Sequence, residues 1–230
     1  MDTNPNRHGA EGHSCSAGSE AVWFAGASID KWRHVCAFFH GPDEEYEVLI
    51  PFIKEGIQRN EKVLSIVDPT LRSDHCARLS SAGIDVRAME QRRQLELRDW
   101  NDTYLKDGHF DQEKMFALLR SSFERGPSEG FALTRVTAHA EWAVGPEEDS
   151  FLKYEAKLNN ILPLQRNPVI CLYDLRKFVA GYAIDVLRTH PLVVIGGILQ
   201  ENPFYVPPDE FLKRLHHRQA NQKTAKTFSV

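Results

Sequence analysis

The chain has 230 residues, 42% of them hydrophobic, and a formal charge of −4 from 28 Lys and Arg against 32 Asp and Glu. That is apolar material for one sizeable core, and the near-neutral balance excludes the global basic field that draws a protein to nucleic acid or an anionic membrane. The four cysteines form no CxxC pair and no apolar run approaches the ~18 residues of a membrane span, so reduced thiols and a cytoplasmic location are expected.

Residues 1–20 are rich in Gly, Ser, Asn and His with almost nothing to bury, which predicts a mobile tail in which His8 and His13 are bystanders. Val22, Trp23, Phe24, Ile29 and Trp32 are the first apolar anchors, a lead-in suited to packing on a sheet edge or on a partner chain, so residues 1–30 divide off as tail and lead-in. Arg33–Phe39 is an apolar run broken at His40, Gly41 and Pro42 and reads as the first central strand of an α/β sheet. Alternation puts His34, Cys36 and Phe38 on one face of it and Val35, Ala37 and Phe39 on the other.

Asp43 to Arg59 carries apolar residues at helical spacing, with Asp43 placed to cap. Lys62–Val67 is a second buried strand and Leu71–Ala82 a short helix stopped by Gly83. Ile84–Val86 reads as a brief edge strand, Gln94–Leu97 as another strand, and Met115–Phe123 as helix capped from Asp111. Phe131–Thr137 is the next strand and delivers His139, Glu141 and Trp142 to the loop beyond it. Phe151–Leu162, Val169–Tyr173, Phe178–Arg188 and Leu192–Ile195 continue as helix, strand, helix and final strand. This alternation predicts a three-layer α/β fold, a mainly parallel central sheet with helices on both faces, over residues 31–200. Residues 201–230 read as a Pro-rich turn, one polar helix suited to docking a partner, and a loose basic tail.

The loop after the first strand, His40-Gly41-Pro42-Asp43-Glu44-Glu45, opposes phosphate binding: proline removes a donor N–H and three carboxylates sit at the helix end that attracts anions. Ser65-Ile66-Val67-Asp68 resembles a magnesium-holding strand end, but without a phosphate loop it is an ordinary strand terminus. His139-Ala140-Glu141 has the H-x-E of zinc deaminases without the P-C-x-x-C partner. A metal held by His34, Cys36, His139 and Cys171 is conceivable, yet buried cysteines behave more often as small hydrophobes, so no metal and no other cofactor is expected. No G-x-S-x-G elbow is present. What remains is a mixed polar and aromatic set, His34, Cys36, Phe38, His40, His139, Glu141, Trp142, Cys171, Tyr173 and Asp174, placed by this reading near strand carboxyl ends, where open α/β sheets bind ligands.

His34-Val35-Cys36-Ala37-Phe38-Phe39, Pro51-Phe52-Ile53-Lys54-Glu55-Gly56, Glu61-Lys62-Val63, Glu141-Trp142, Tyr154-Glu155, Tyr173-Asp174, His190-Pro191 and Asn202-Pro203-Phe204-Tyr205 together resemble the MEDS sensory domain, over about residues 33 to 212. The resemblance implies a divergent relative of the RecA and KaiC fold that has lost nucleotide binding and senses simple hydrocarbon derivatives, as in regulators of methanogens and methylotrophs of the dichloromethane-responsive type. Members usually carry a separate output domain. No helix-turn-helix or kinase motif follows Leu215, so the output is expected either in another polypeptide or to have been lost. The function expected is a non-catalytic sensor that binds a small organic ligand and regulates a signalling partner or transcriptional output, as a homo-oligomer or with another protein, without direct nucleic acid or membrane contact. The alternatives are a metal-dependent enzyme using His34, His139 and Glu141 in acid/base roles, and an interaction scaffold with a vestigial pocket.

Overall fold

The computed structural model describes residues 21–164 and 166–227; the expected tail over residues 1–20 lies outside them. A two-stranded hairpin comes first, β1 (Val22–Phe24) and β2 (Ala27–Ile29), turned by Ala25 and Gly26 at φ 46° and 81°. Then come β3 (His34–Phe39), α1 (Pro42–Gln58), β4 (Lys62–Val67), α2 (Arg72–Ser81), α3 (Val86–Gln91), β5 (Leu95–Asp99), α4 (Gln112–Ser128) and β6 (Thr134–His139). The chain continues with α5 (Glu148–Ile161), β7 (Val169–Asp174), α6 (Ala180–Thr189), β8 (Leu192–Ile195), β9 (Ile198–Glu201) and α7 (Pro208–Thr227).

Seven strands form the central sheet in the order β5-β4-β6-β7-β3-β8-β9, with only β9 antiparallel to its neighbour. The expected alternation along β3 holds: Cys36 and Phe38 pack with α4, α5, α6 and α7, whereas Val35, Ala37 and Phe39 pack with α1, α2 and the hairpin. Helices therefore cover both faces, as the sequence predicts, because strands buried on both sides need apolar partners on both.

Five local readings change. β6 runs Thr134–His139 rather than Phe131–Thr137, so His139 ends the strand instead of lying in the loop beyond it. Val86–Gln91 is helix, not edge strand, because the Asp85 side chain accepts from the Ala88 N–H at 2.9 Å and caps it. Asp43 does not cap α1; Gly41, at φ 129°, precedes Pro42 at the first helical position, and Asp43 pairs with Arg78 at 2.9 Å. Gly196 and Gly197, both at positive φ, do not end the sheet but turn the chain back into β9 with Ile195 facing Ile198. The C-terminal helix is docked on its own domain: Phe211 and Leu215, each 3% exposed, join the core under α5 and α6. The lead-in is likewise structural, with Phe24 edge-on to Phe52 of α1 at 5.0 Å, although Trp23 stays 54% exposed.

Candidate functional site

On the α5 side of the sheet four polar side chains converge in the interior. His34 opens β3, Cys171 lies mid-way along β7, Glu155 projects from α5, and His190 follows the last turn of α6. All four are buried, and their ligating atoms lie within 4.8 Å of one another. Glu155 Oε2 is 3.0 Å from His34 Nε2 and 2.9 Å from His190 Nε2. Cys171 Sγ is 3.5 Å from His34 Nε2 and 3.6 Å from Glu155 Oε2. The two imidazoles pack with centroids 4.0 Å apart.

The outer ring nitrogens are held by acceptors. His34 Nδ1 is 3.2 Å from Asn159 Oδ1, and the Asn159 amide is oriented by its Nδ2 donating to the carbonyls of Glu155, Ala156 and Thr189. His190 Nδ1 is 2.8 Å from the Val186 carbonyl and 3.0 Å from Thr189 Oγ1, whose own hydrogen goes to that same carbonyl. Burial, then the neighbouring His190, holds His34 below its ordinary pKa. Burial alone would raise Glu155, but His190 and His34 reverse the effect and draw it down to about 2. Burial, with Glu155 next, pushes the Cys171 thiol well up.

Beyond this cluster the same face is aromatic. Trp142 stacks on Tyr104 at 4.6 Å and meets Phe110 and Phe151 at 5.1 and 4.9 Å. Tyr173 touches Phe38 and Phe178, and Phe178 stacks on Tyr182 at 5.4 Å. Trp142 Nε1, Tyr173 Oη, Tyr182 Oη and Glu141 Oε2 are buried without a hydrogen-bond partner. A cleft of about 310 Å³ enters between α5, α6 and α7, lined by Leu152, Val179, Tyr182, Asp185 and Arg218 among others. Its volume is at the small end for a ligand site.

The opposite face carries a separate polar set. His139 Nε2 sits 3.1 Å from Glu45 Oε1, with Nδ1 3.3 Å from the Ile66 carbonyl. Burial disfavours its charge, but Glu45 more than compensates and raises it to about 9. Nearby, Tyr46 meets His75 Nδ1 at 2.6 Å, and burial with the adjacent His139 lowers His75 to about 3. Beside the α1 N-terminus, Glu44 Oε2 accepts from the His40 N–H at 2.7 Å, and the Arg176 guanidinium lies 3.0 Å from where a Cβ on Gly41 would stand.

The sequence-predicted residues thus fall into three places. His34 and Cys171 come together, and Phe38, Trp142 and Tyr173 lie on the same face. His139 is across the sheet, because it alternates with Ala138 of the α5 side. His40 is exposed, and Asp174 is neutralised at the carboxyl edge by Arg176 at 2.6 Å. His34 opens its strand rather than ending it, five residues and roughly 17 Å from Phe39, whose register partner is Asp174. It therefore shares no small ligand with Glu141, which accepts from the Asp174 N–H at 3.3 Å. Cys36 points its Sγ to the Leu192 carbonyl at 3.7 Å. The residues that complete the cluster, Glu155, Asn159 and His190, are not among the sequence-predicted site residues. For Glu155 and Asn159 the signal is a carboxylate and an amide one helical turn apart on α5; His190 carries no such local signal.

A family model described as "MEthanogen/methylotroph, DcmR Sensory domain" matches residues 33–191. The chain belongs to the MEDS family. All members of the buried cluster and the Trp142 and Tyr173 aromatics fall inside the matched MEDS segment. No curated protein matches the chain, and among the described residues no helix is long and apolar enough to cross a membrane.

Proposed function

We propose that this MEDS domain is a non-catalytic sensor that takes a small organic molecule, a simple hydrocarbon derivative, against the aromatic layer beneath α5 and α6. Its occupancy is passed to a signalling partner, a transcriptional output or a second copy of the chain. The observation that carries this reading is the set of buried, unpartnered polar atoms among aromatic rings: Trp142 Nε1, Tyr173 Oη and Tyr182 Oη. A buried donor without an acceptor costs about 1–3 kcal/mol, and a ligand with one or two polar atoms in an apolar body would supply the acceptor while the rings cover the rest. Tyr182 both lines the cleft and stacks on Phe178, which in turn contacts Tyr173, so the cleft leads towards the aromatic layer. A RecA/KaiC-like ancestry with lost nucleotide binding accords with an α1 N-terminus that opens on Pro42 and carries Asp43, Glu44 and Glu45 in its first turn.

The enzymatic alternative needs His34, His139 and Glu141 within reach of one substrate, and they lie on two faces and at opposite edges of the sheet. The net charge of −4 offers no basis for nucleic acid contact. The test is saturable binding of dichloromethane and methanol, followed by tryptophan fluorescence and ligand-observed NMR, in the wild-type chain, Tyr182→Phe and Tyr173→Phe. Removing an unpaired hydroxyl should leave the unliganded protein as stable as before or more so, yet weaken binding about tenfold. Absence of saturable binding, or equal affinity in both variants, would refute the reading.

A further inference from the structure

We infer that His34, Glu155, Cys171 and His190 form a closed binding site for one transition-metal dication, zinc above all, at the heart of the domain. Asn159 Oδ1 and the Val186 carbonyl are acceptors, so Nδ1 of His34 and of His190 each carries the ring hydrogen. In the neutral rings both Nε2 atoms then present lone pairs, and both aim at the same oxygen, Glu155 Oε2, at 3.0 and 2.9 Å. His190 Nε2 has no hydrogen-bond partner despite that approach. A single proton placed there satisfies one of the two contacts and leaves the other lone pair against lone pair. Protonating both rings puts two cations with centroids 4.0 Å apart in a dry interior, a net positive charge where an unpaired charge is most costly.

A dication removes the conflict. With Glu155 ionised and the Cys171 thiol proton released, two negative ligands and two neutral imidazoles around a 2+ ion sum to zero charge. Tetrahedral zinc with bonds of about 2.0–2.3 Å places its ligand atoms roughly 3.3–3.6 Å apart; four of the separations here run from 2.9 to 3.6 Å. The outer hydrogen bonds are those of metal-bound histidines, each ring donating its second N–H to an amide or backbone oxygen that fixes tautomer and orientation. Mixed nitrogen, sulfur and oxygen donors suit zinc and disfavour calcium or magnesium. Four protein ligands leave no open position, so the role is structural: one ion ties β3, α5, β7 and the end of α6. This goes against the sequence reading, which expected no metal. Of the four ligands conceivable there, His34 and Cys171 are retained, while Cys36 and His139 are replaced by Glu155 and His190.

The test uses the full chain expressed without a histidine tag. Elemental analysis should find about one zinc per chain. After exchange, cobalt should give the visible band of a tetrahedral site with thiolate charge transfer. Cys171→Ser should abolish that charge-transfer band and Cys36→Ser should retain it. Asn159→Ala, which removes the acceptor of the His34 Nδ1 hydrogen together with the amide's own bonds to the Glu155, Ala156 and Thr189 carbonyls, should lower metal affinity about 10–100-fold. A chain that is metal-free as isolated and neither binds zinc in calorimetry nor shifts its melting point on zinc addition would overturn the inference. So would stoichiometric metal retained in both Cys171→Ser and His190→Ala. Metal content is read without any organic ligand, so failure here leaves the sensor proposal standing, and failure of dichloromethane or methanol to bind leaves the metal site standing.

Discussion

The His139–Glu45 pair should work as a pH-dependent latch holding α1 to the end of β6, and Glu45→Gln exposes it. His139 titrates at about 9 in the fold against an ordinary 6.5, a rise of roughly 2.5 units and so about 3 kcal/mol at ~1.4 kcal/mol per unit. Because the folded value is the raised one, that stabilisation is complete below pH 6.5, where both states bind the proton. It is lost as pH climbs from 6.5 through 9, where only the folded state still holds it. In Glu45→Gln the side chain can still donate to a neutral His139 Nε2, while the Nδ1 hydrogen goes to the Ile66 carbonyl, so the fold survives without the ionic contribution. For a chain of this size ~3 kcal/mol is roughly 6–12 °C in melting midpoint. Thermal melts of both proteins at pH 6, 7.5 and 9 should show a gap of that order at pH 6 that closes by pH 9. Comparing the two chains cancels the contributions of His75 and the thiols, present in both. If the two midpoints stay parallel from pH 6 to 9, His139 is not the charged partner of Glu45 and the reasoning fails.

Two further outcomes follow from the same structure. Phe211→Ala and Leu215→Ala each empty a core position at the α5–α7 contact and should cost about 2–5 kcal/mol in urea denaturation; a change below ~0.5 kcal/mol in both would show that α7 is a detachable arm. ATP and GTP should show no binding by calorimetry, since α1 opens on Pro42, which has no N–H, and carries Asp43, Glu44 and Glu45 in its first turn, and micromolar binding competed by analogues would contradict this.

Periodicity carried the architecture. The buried runs Arg33–Phe39, Lys62–Val67 and Val169–Tyr173, separated by helical spacings, can bury both faces only in a parallel sheet between helix layers, and that is the fold. Alternation also assigned His34, Cys36 and Phe38 to one face, because strand geometry has a strict period of two. Local chemistry with two competing satisfactions was less legible: Asp85 turned an apparent strand into a helix cap, and Gly196-Gly197 reads equally as a stop or a hairpin turn. The site was decided by tertiary structure alone. Strand order brings Cys171 beside His34, helix docking brings Glu155 over them, and the α6 terminus delivers His190 from 156 residues further along the chain than His34. Nothing local distinguishes His139 from His34 as a candidate. Their faces and partners depend on which helix packs against which strand, and that choice is made by the burial of the whole sheet rather than by the residues that flank either histidine.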